Sequence, residues 1–209
     1  YSFKNMINTA ISYSLVTDGI QETLEIQDSL YYSRPGNIAN SQFLSLSVDG
    51  SFKVTSWYDI NIYAEAALVS FQSDLYTEQL NSQGINMYGS MTNSFNLGKG
   101  WKIDVSGRIL NDHVASQLVI KGYGVVGMGV QKKVFKGKGS FKLSATDMFF
   151  SRRGDGIINN LRATNADWNS RFDSRSVRLT FSLRFGKPTR GKEKHNSSGS
   201  DSEQERVKG

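Results

Sequence analysis

Apolar and polar residues alternate with a period of two along most of this sequence. The clearest example runs from Ser176 to Phe185, where large apolar residues alternate with small or charged ones. Successive side chains of a β-strand point to opposite faces, whereas a helix would need apolar residues at steps of three and four. The pattern therefore predicts strands with one apolar and one polar face. The apolar residues of this last segment are Val177, Leu179, Phe181, Leu183 and Phe185.

Eight segments of this kind predict an all-β, antiparallel fold. They are longer than the strands of most soluble sheets, and each reaches the ~9–11 residues that a tilted strand needs to cross a bilayer. The predicted strands are 2–17, 38–54, 58–73, 83–97, 101–112, 117–135, 140–150 and 172–186.

The predicted connections fall into two classes by length. Short turns at 55–57, 98–100 and 136–139 alternate with the segments 18–37, 74–82, 113–116 and 151–171, of which only 113–116 is short. Short periplasmic turns and longer extracellular loops are typical of outer-membrane barrels. The sequence therefore predicts an antiparallel transmembrane β-barrel of about eight strands, with its apolar face toward outer-membrane lipid.

Aromatic residues gather near the short turns, which predicts a girdle at the membrane boundary. The alternative is that aromatic residues simply favour strands. The residues concerned are Trp57, Tyr58, Trp101, Phe135, Phe141, Phe181 and Phe185.

Composition narrows the class of protein further. No run approaches the ~18 apolar residues of a membrane helix, and the chain has no Cys, so disulfides and thiolate metal sites are excluded. The net charge of +6 invites a nucleic-acid interpretation, but the basic residues are spread along the chain without a single stripe, so we expect no nucleic-acid partner.

The chain divides into two predicted parts. Residues 1–186 are predicted to form the barrel strands, and the composition of residues 187–209 predicts a disordered periplasmic tail. Alternation already present at Phe3 is expected of a segment cut from a longer chain.

Seven charged residues fall at mid-strand positions that the alternation assigns to the inward face. Charges toward lipid would be costly, so we expect them in the lumen. They either contact a plug domain or substrate, or form a solvated ladder in which each pair contributes little. The residues are Asp49, Glu65, Asp104, Arg108, Lys142, Arg178 and Arg184.

Three short motifs suggest other chemistry, and none is supported. Residues 122–127 spell a dinucleotide-binding fingerprint, with Asp147 twenty residues past Gly127, but a strand rather than a helix is predicted to follow. An Arg-Gly-Asp triplet at 153–155 is interpreted as a polar turn. His113 and His195 are far apart and have no metal-ligand or catalytic spacing. We therefore expect no enzyme activity, no cofactor and no metal.

An ordered series of segments resembles a known family. The series comprises 84–89, 93–101, 130–135, 139–144 and 173–187, including Asn93-Ser94-Phe95-Asn96-Leu97-Gly98-Lys99-Gly100-Trp101. It is similar to the C-terminal barrel of the TonB-dependent receptor-like outer-membrane family of Bacteroidetes. The resemblance implies a 22-stranded barrel around an N-terminal plug domain, with uptake driven by the TonB system. The last strand also resembles the signal that such barrels present to the barrel-assembly machinery.

Two alternatives stay open. One is a stand-alone eight-stranded outer-membrane barrel, a structural protein or adhesin; the other is a soluble β-sandwich that binds carbohydrate. Small inward residues favour a wider lumen than eight strands enclose. These are Ser45, Ser47, Ser90, Ser106 and Ser144.

Overall fold

The computed structural model describes residues 2–3, 7–28, 30–75, 78–158 and 166–185, and the predicted tail lies outside them. The described chain is all β apart from a single 3₁₀ turn, Phe135–Gly137. The strands are β1 Ser2–Phe3, β2 Ile7–Gln27, β3 Leu30–Lys53, β4 Tyr58–Leu75, β5 Glu78–Gly98, β6 Trp101–Leu110, β7 His113–Ala115, β8 Leu118–Ile120, β9 Tyr123–Val134, β10 Gly139–Thr146, β11 Gly156–Ile158, β12 Ala166–Trp168 and β13 Ser176–Leu183.

The strands form two antiparallel sheets. The larger sheet has the order β1-β2-β3-β4-β5-β6-β9-β10-β13. Each strand pairs with the next one in sequence, except that β6 pairs with β9 and β10 pairs with β13. The other four short strands form a second sheet in the order β12-β11-β8-β7. The predicted all-β antiparallel fold is confirmed.

The three predicted short turns are confirmed, and they lie at one end of the larger sheet. They connect β3 to β4, β5 to β6, and β9 to β10. The second of them needs residues that tolerate positive φ, and Gly98, Lys99 and Gly100 have φ values of 77°, 48° and 82°. We refer to this end as the short-turn end and to the opposite end as the loop end.

The predicted loops 18–37 and 74–82 are wrong. Pairing between β2 and β3 continues to Gln27 and Leu30, and pairing between β4 and β5 continues to Leu75 and Glu78. Backbone hydrogen bonds extend these hairpins beyond the length that a bilayer requires. The sequence pattern fades there because neither face of a hairpin in water has to be apolar.

The predicted strand 117–135 is also wrong in part. Its first residues belong to β8 in the second sheet, and β9 begins only at Tyr123. Between them the chain passes close to β6, since a Cβ atom on Gly122 would lie 2.4 Å from the carbonyl oxygen of Leu110. The predicted loop 151–171 contributes β11 and β12, and the strands predicted at 101–112, 140–150 and 172–186 are shorter in the structure.

The larger sheet has little conventional core. Its main buried apolar cluster is at the loop end and consists of Ile38, Val69, Phe71, Leu75 and Leu80, with Val114 packed against it. Many large apolar side chains elsewhere on the sheet are exposed, including Ile11, Val177 and Leu179. None of the described residues belongs to a helix that is long and apolar enough to span a membrane.

Candidate functional site: the polar face and the loop-side cap

One face of the larger sheet carries polar side chains from strand to strand. Cross-strand pairing aligns Asn8, Asp49, Tyr63, Ser90 and Arg108 in one row of this polar face. A parallel row holds Ser51, Asn61, Thr92, Ser106 and Gly127.

The opposite, apolar face is equally continuous. One of its rows runs Tyr58, Phe95, Ile103, Val130, Leu143 and Leu179. The predicted division between the two faces therefore extends across the sheet, because side chains of directly paired residues lie on the same face.

Six of the seven predicted inward charges lie on the polar face. Arg178 is aligned with Ser144 and Asp104 with Gly129, and Glu65 lies beside Tyr88. The exception is Arg184, which follows the end of β13 and donates its backbone N–H to the carbonyl oxygen of Lys138 at the short-turn end. The expectation that Arg184 is a mid-strand residue is wrong, because the ladder ends at Leu183.

Hydrogen bonds and one ion pair organise part of the polar face. Asp104 accepts a hydrogen bond from Ser94 at 2.6 Å and forms an ion pair with Lys102 at 2.9 Å. The Tyr63 hydroxyl donates to a Glu65 carboxylate oxygen, and its ring lies 5.8 Å from that of Tyr88.

The basic side chains of Arg108 and Lys142 have no ion pair within the described residues. Both line a shallow cavity of about 350 Å³ whose wall also includes Thr92, Asp104 and Ser106. Its walls are suited to binding polar groups because they combine hydroxyls, one carboxylate and two basic side chains.

At the loop end, side-chain amides fasten the β7–β8 hairpin to the larger sheet. The side-chain amide of Asn86 accepts a hydrogen bond from Val114 N at 2.8 Å and donates one to Val114 O at 3.0 Å. The side-chain amide of Asn111 accepts from Met87 N at 2.6 Å and donates to Ile85 O at 2.7 Å. Each amide replaces the missing backbone partner of a strand, which satisfies groups that would otherwise be costly to bury.

A third side-chain amide, that of Gln117, attaches the β7–β8 hairpin to β2. Gln117, only 4% exposed, accepts from Leu24 N at 2.8 Å and donates to Leu24 O at 3.0 Å. Between these contacts Val114 approaches β5 so closely that a Cβ atom on Gly84 would lie 2.6 Å from a Val114 methyl carbon. Gly84 and Asn86 both belong to the polar face, so the hairpin lies over that face. We call β7, β8, β11, β12 and residues 147–155 the loop-side cap.

Asp147 anchors the second half of this cap. It is fully buried and accepts hydrogen bonds from the Ser151 N–H and hydroxyl at 2.8 and 3.0 Å, from the Arg152 N–H at 3.3 Å, and from the Ser174 hydroxyl. The Ser174 hydrogen bond, followed by those from Ser151 and Arg152, lowers the pKa of Asp147 to about 2 against the opposing effect of burial. A single carboxylate thus joins the end of β10 to the segment that enters β13.

Asp112 also holds the cap in place, with fewer contacts, on its other side. It accepts from the Gly122 N–H at 2.8 Å and pairs with the Lys121 ammonium at 2.8 Å. The Gly122 hydrogen bond and then the Lys121 contact hold the pKa of Asp112 below its usual value.

A family comparison gives the location of this sheet. The model of the outer membrane protein beta-barrel family matches residues 1–184. The chain belongs to this family. A search of curated proteins and a search of solved structures each found no match to the chain.

Membership places this outer-membrane β-barrel protein in contact with membrane lipid and argues against the soluble β-sandwich alternative. The exposed apolar face is the one suited to lipid, since burying charged side chains there would be costly. On the last strand Val177, Leu179 and Phe181 are 75%, 70% and 49% exposed. Phe185, predicted to belong to this strand, lies after its end at Leu183 and is 88% exposed. Their contact with lipid, and their use as an assembly signal, stay predictions.

The remaining motifs of this barrel protein have structural roles. The segment after Gly127 continues as a strand to Val134, as predicted. The Arg-Gly-Asp triplet is not a polar turn, so that prediction is wrong: Gly154 N donates to Ser170 O at 2.9 Å, and Asp155 O accepts from Lys121 N at 2.8 Å. The described residues contain no group of three or more His, Cys, Asp or Glu side chains that could hold a metal ion.

The sequence reasoning missed the residues that build the cap. Asn86, Asn111 and Gln117 have no periodic signal, since an amide that completes a backbone pair is recognisable only once the register is known. Asp147 was noted only as part of the false fingerprint. The spacing of Asp147 and Ser151, which are four residues apart at the end of a strand, was the available sign of a side-chain-capped turn.

Replacement of Gln117 by Leu tests the amide contacts directly. We expect Leu24 to lose both partners, which weakens local closure of the cap by about 1–3 kcal/mol. Hydrogen exchange at the Leu24 amide measures this opening. The control is Gln72→Leu, at an exposed position of β4. Unchanged exchange at Leu24 in Gln117→Leu would contradict the assigned role.

Proposed function

We propose that this chain forms part of a TonB-dependent transporter, a receptor of the Bacteroidetes type that actively takes up a substrate not yet identified. The observation that carries the proposal is the small size of the residues on the polar face. Ser12, Ser45 and Ala67 lie side by side in one row, and Ser106 is flanked by Thr92 and Gly127 in another.

A small closed barrel fills its interior with its own side chains. Rows of side chains this small instead leave space for water or for another part of the protein. We propose that the space is occupied by a plug domain of the same full-length chain, within a barrel of 22 strands in total. This interpretation also uses the resemblance of residues 84–187 to the receptor-like family.

The basic side chains with no ion pair in the described chain support a binding role for the polar face. Arg108 and Lys142 line the shallow cavity together with Asp104. A plug or a substrate with acidic or hydroxyl groups would complete their interactions. In this proposal the other predicted inward charges on the polar face, Asp49, Glu65 and Arg178, are further contacts along the same wall.

The proposed partners follow from this arrangement. They are outer-membrane lipid, the plug, the TonB system acting through the plug, and the barrel-assembly machinery acting on β13. In this proposal the protein has no catalytic role, and the segment after Phe185 extends into the periplasm.

Uptake by living cells tests the proposal. Strains that lack the gene, carry the full-length gene, or carry it without the energy-coupling system would be grown in the same medium, and depletion of its compounds measured by mass spectrometry. We expect one class of compound to remain in the medium of both the first and the third strain. Uptake that persists without energy coupling would indicate a passive barrel, and no difference among the strains would favour a structural protein or adhesin.

A strand count in the full-length protein separates the two barrel hypotheses independently. We expect 22 strands around a plug in an experimental structure. A closed barrel of about eight strands would overturn the transporter proposal.

A further inference from the structure

Two of the three short turns bring basic residues together at one boundary of the membrane. The β5–β6 and β9–β10 turns are adjacent, because Lys133 N donates to Gly100 O at 2.8 Å. The end of β13 joins them, since Arg184 N donates to Lys138 O at 2.9 Å. We call the resulting group the basic turn edge. It consists of Lys99, Lys132, Lys133, Lys136, Lys138 and Arg184. Lys132, paired with Phe141, is on the apolar face, and Lys133, paired with Ser140, is on the polar face.

None of these six side chains has a carboxylate partner in the part of the chain that the structure describes. The ion pairs among the described residues involve Arg34, Lys102, Lys121 and Arg175, and none involves the basic turn edge. Lys132 is half-buried, and the other five are exposed. The basic residues are spread along the sequence without a single stripe, but the structure gathers these six at one end, because pairing of β6 with β9 unites turns that lie far apart in the chain.

An aromatic belt lies directly beside this positive charge on the apolar face. Phe141 and Phe181 are in ring contact at 4.7 Å, and Phe135 lies 6.5 Å from Phe181. The Lys132 ammonium is 4.6 Å from the centre of the Trp101 ring and donates to Lys99 O at 3.0 Å. This lysine therefore runs its aliphatic stem along the aromatic surface and directs its charge toward the turns.

The third short turn, between β3 and β4, has aromatic residues beside it but no basic residues within it. Trp57, Tyr58 and Phe95 form an aromatic stack beside it, with Tyr58 and Phe95 at 4.9 Å. No basic residue occurs in 54–58, and the nearest, Lys53, is on the polar face opposite Asp59. Aromatic residues thus lie beside all three of these turns, whereas basic residues gather only at the adjacent β5–β6 and β9–β10 turns.

We propose that the basic turn edge binds the phosphate headgroup of an anionic phospholipid in the leaflet next to the short turns. The acyl chains lie against Trp101, Phe141 and Phe181, and the phosphate lies among the turn lysines. Lipid is favoured over nucleic acid because the charge borders an apolar surface. The site needs only the outer-membrane location, so it stands whether or not the protein is a transporter.

Lipid retention tests this site. The full-length protein would be reconstituted with equimolar phosphatidylcholine and phosphatidylglycerol, extracted in mild detergent, and its retained lipids counted by native mass spectrometry. Since each basic residue near an anionic surface adds attraction, we expect a preference for phosphatidylglycerol on the order of tenfold. Raising the salt concentration should reduce it, because exposed charges are screened.

The variant that removes the site is the triple change Lys99→Gln, Lys136→Gln and Lys138→Gln. These exposed turn side chains form no side-chain hydrogen bond with any described residue, and we expect folding to be kept and the preference abolished. The charge-matched control is Arg152→Gln, Arg153→Gln and Arg171→Gln at the loop end, which should keep the preference.

Equal loss in both triple variants would show general charge attraction and overturn the site. Absence of any preference in the unaltered protein would also overturn it, and would favour coverage of the basic turn edge by an acidic protein segment.

Discussion

Lysine in place of Ile62 is expected to destabilise the barrel by about 2–4 kcal/mol and to lower the amount of folded protein in outer membranes. Ile62 is on the apolar face, 39% exposed, between Gly50 and Met91. It lies four residues from Tyr58 at the aromatic boundary. A strand tilted by about 45° advances roughly 2.3 Å per residue along the membrane normal, which places Ile62 near the middle of an apolar band about 25 Å tall.

The neighbouring residue supplies a control at the same depth. Asn61 is on the polar face between Ser51 and Thr92, with no charged residue directly opposite. We expect Asn61→Lys to cost only its hydrogen bond from Ser51, since an ammonium in the lumen stays hydrated. The midpoint of urea unfolding in lipid vesicles measures both variants. Equal destabilisation would show that the two faces have been assigned wrongly.

Replacement of Asp147 by Ala should open the loop-side cap. The change removes the acceptor for four hydrogen bonds and separates the end of β10 from Ser174. Trypsin cleaves after Arg152 and Arg153, which lie in the segment that Asp147 orders. We expect cleavage there to be at least about tenfold faster in the variant, because proteolysis follows the population of the locally open state.

The control for this variant is Asp173→Asn. Asp173 lies in the same region and has a 77% exposed side chain, and its contact with Arg175 is a long ion pair of 3.7 Å. Exposed pairs of this kind contribute little, so cleavage should stay at the unaltered rate. If Asp147→Ala is cut no faster than Asp173→Asn, Asp147 does not anchor the cap.

The stabilisation of the loop-side cap by Asp147 should depend on pH only under acidic conditions. The pKa of Asp147 is about 2 in the folded protein, against ~3.9 in an unfolded chain. Because the folded state favours the ionised carboxylate, its stabilising effect is complete above pH ~4 and is lost as the pH falls toward 2.

Pepsin cleavage of the cap between pH 5 and 2, normalised to a synthetic peptide of residues 147–158, measures this dependence. Asp112 also has a lowered pKa, so the difference between the unaltered protein and Asp147→Asn isolates the contribution of Asp147. A difference that stays constant over this range would contradict the pKa assignment.

Sequence reasoning succeeded where the membrane restricts each position. Strand identity, the short turns and the sharing of a face by Asp49, Glu65, Asp104, Arg108, Lys142 and Arg178 were all predictable. In a strand that crosses the membrane one side faces lipid and the other does not, so a period of two is imposed on the residues themselves.

The sequence by itself therefore determined an outer-membrane sheet with one apolar and one polar face. Only the tertiary structure decided how far the hairpins extend, how Gln117 reaches Leu24, and which turns bring the basic residues together. These features depend on register and on contacts between distant segments. In water neither face must be apolar, so no local pattern along the chain records them.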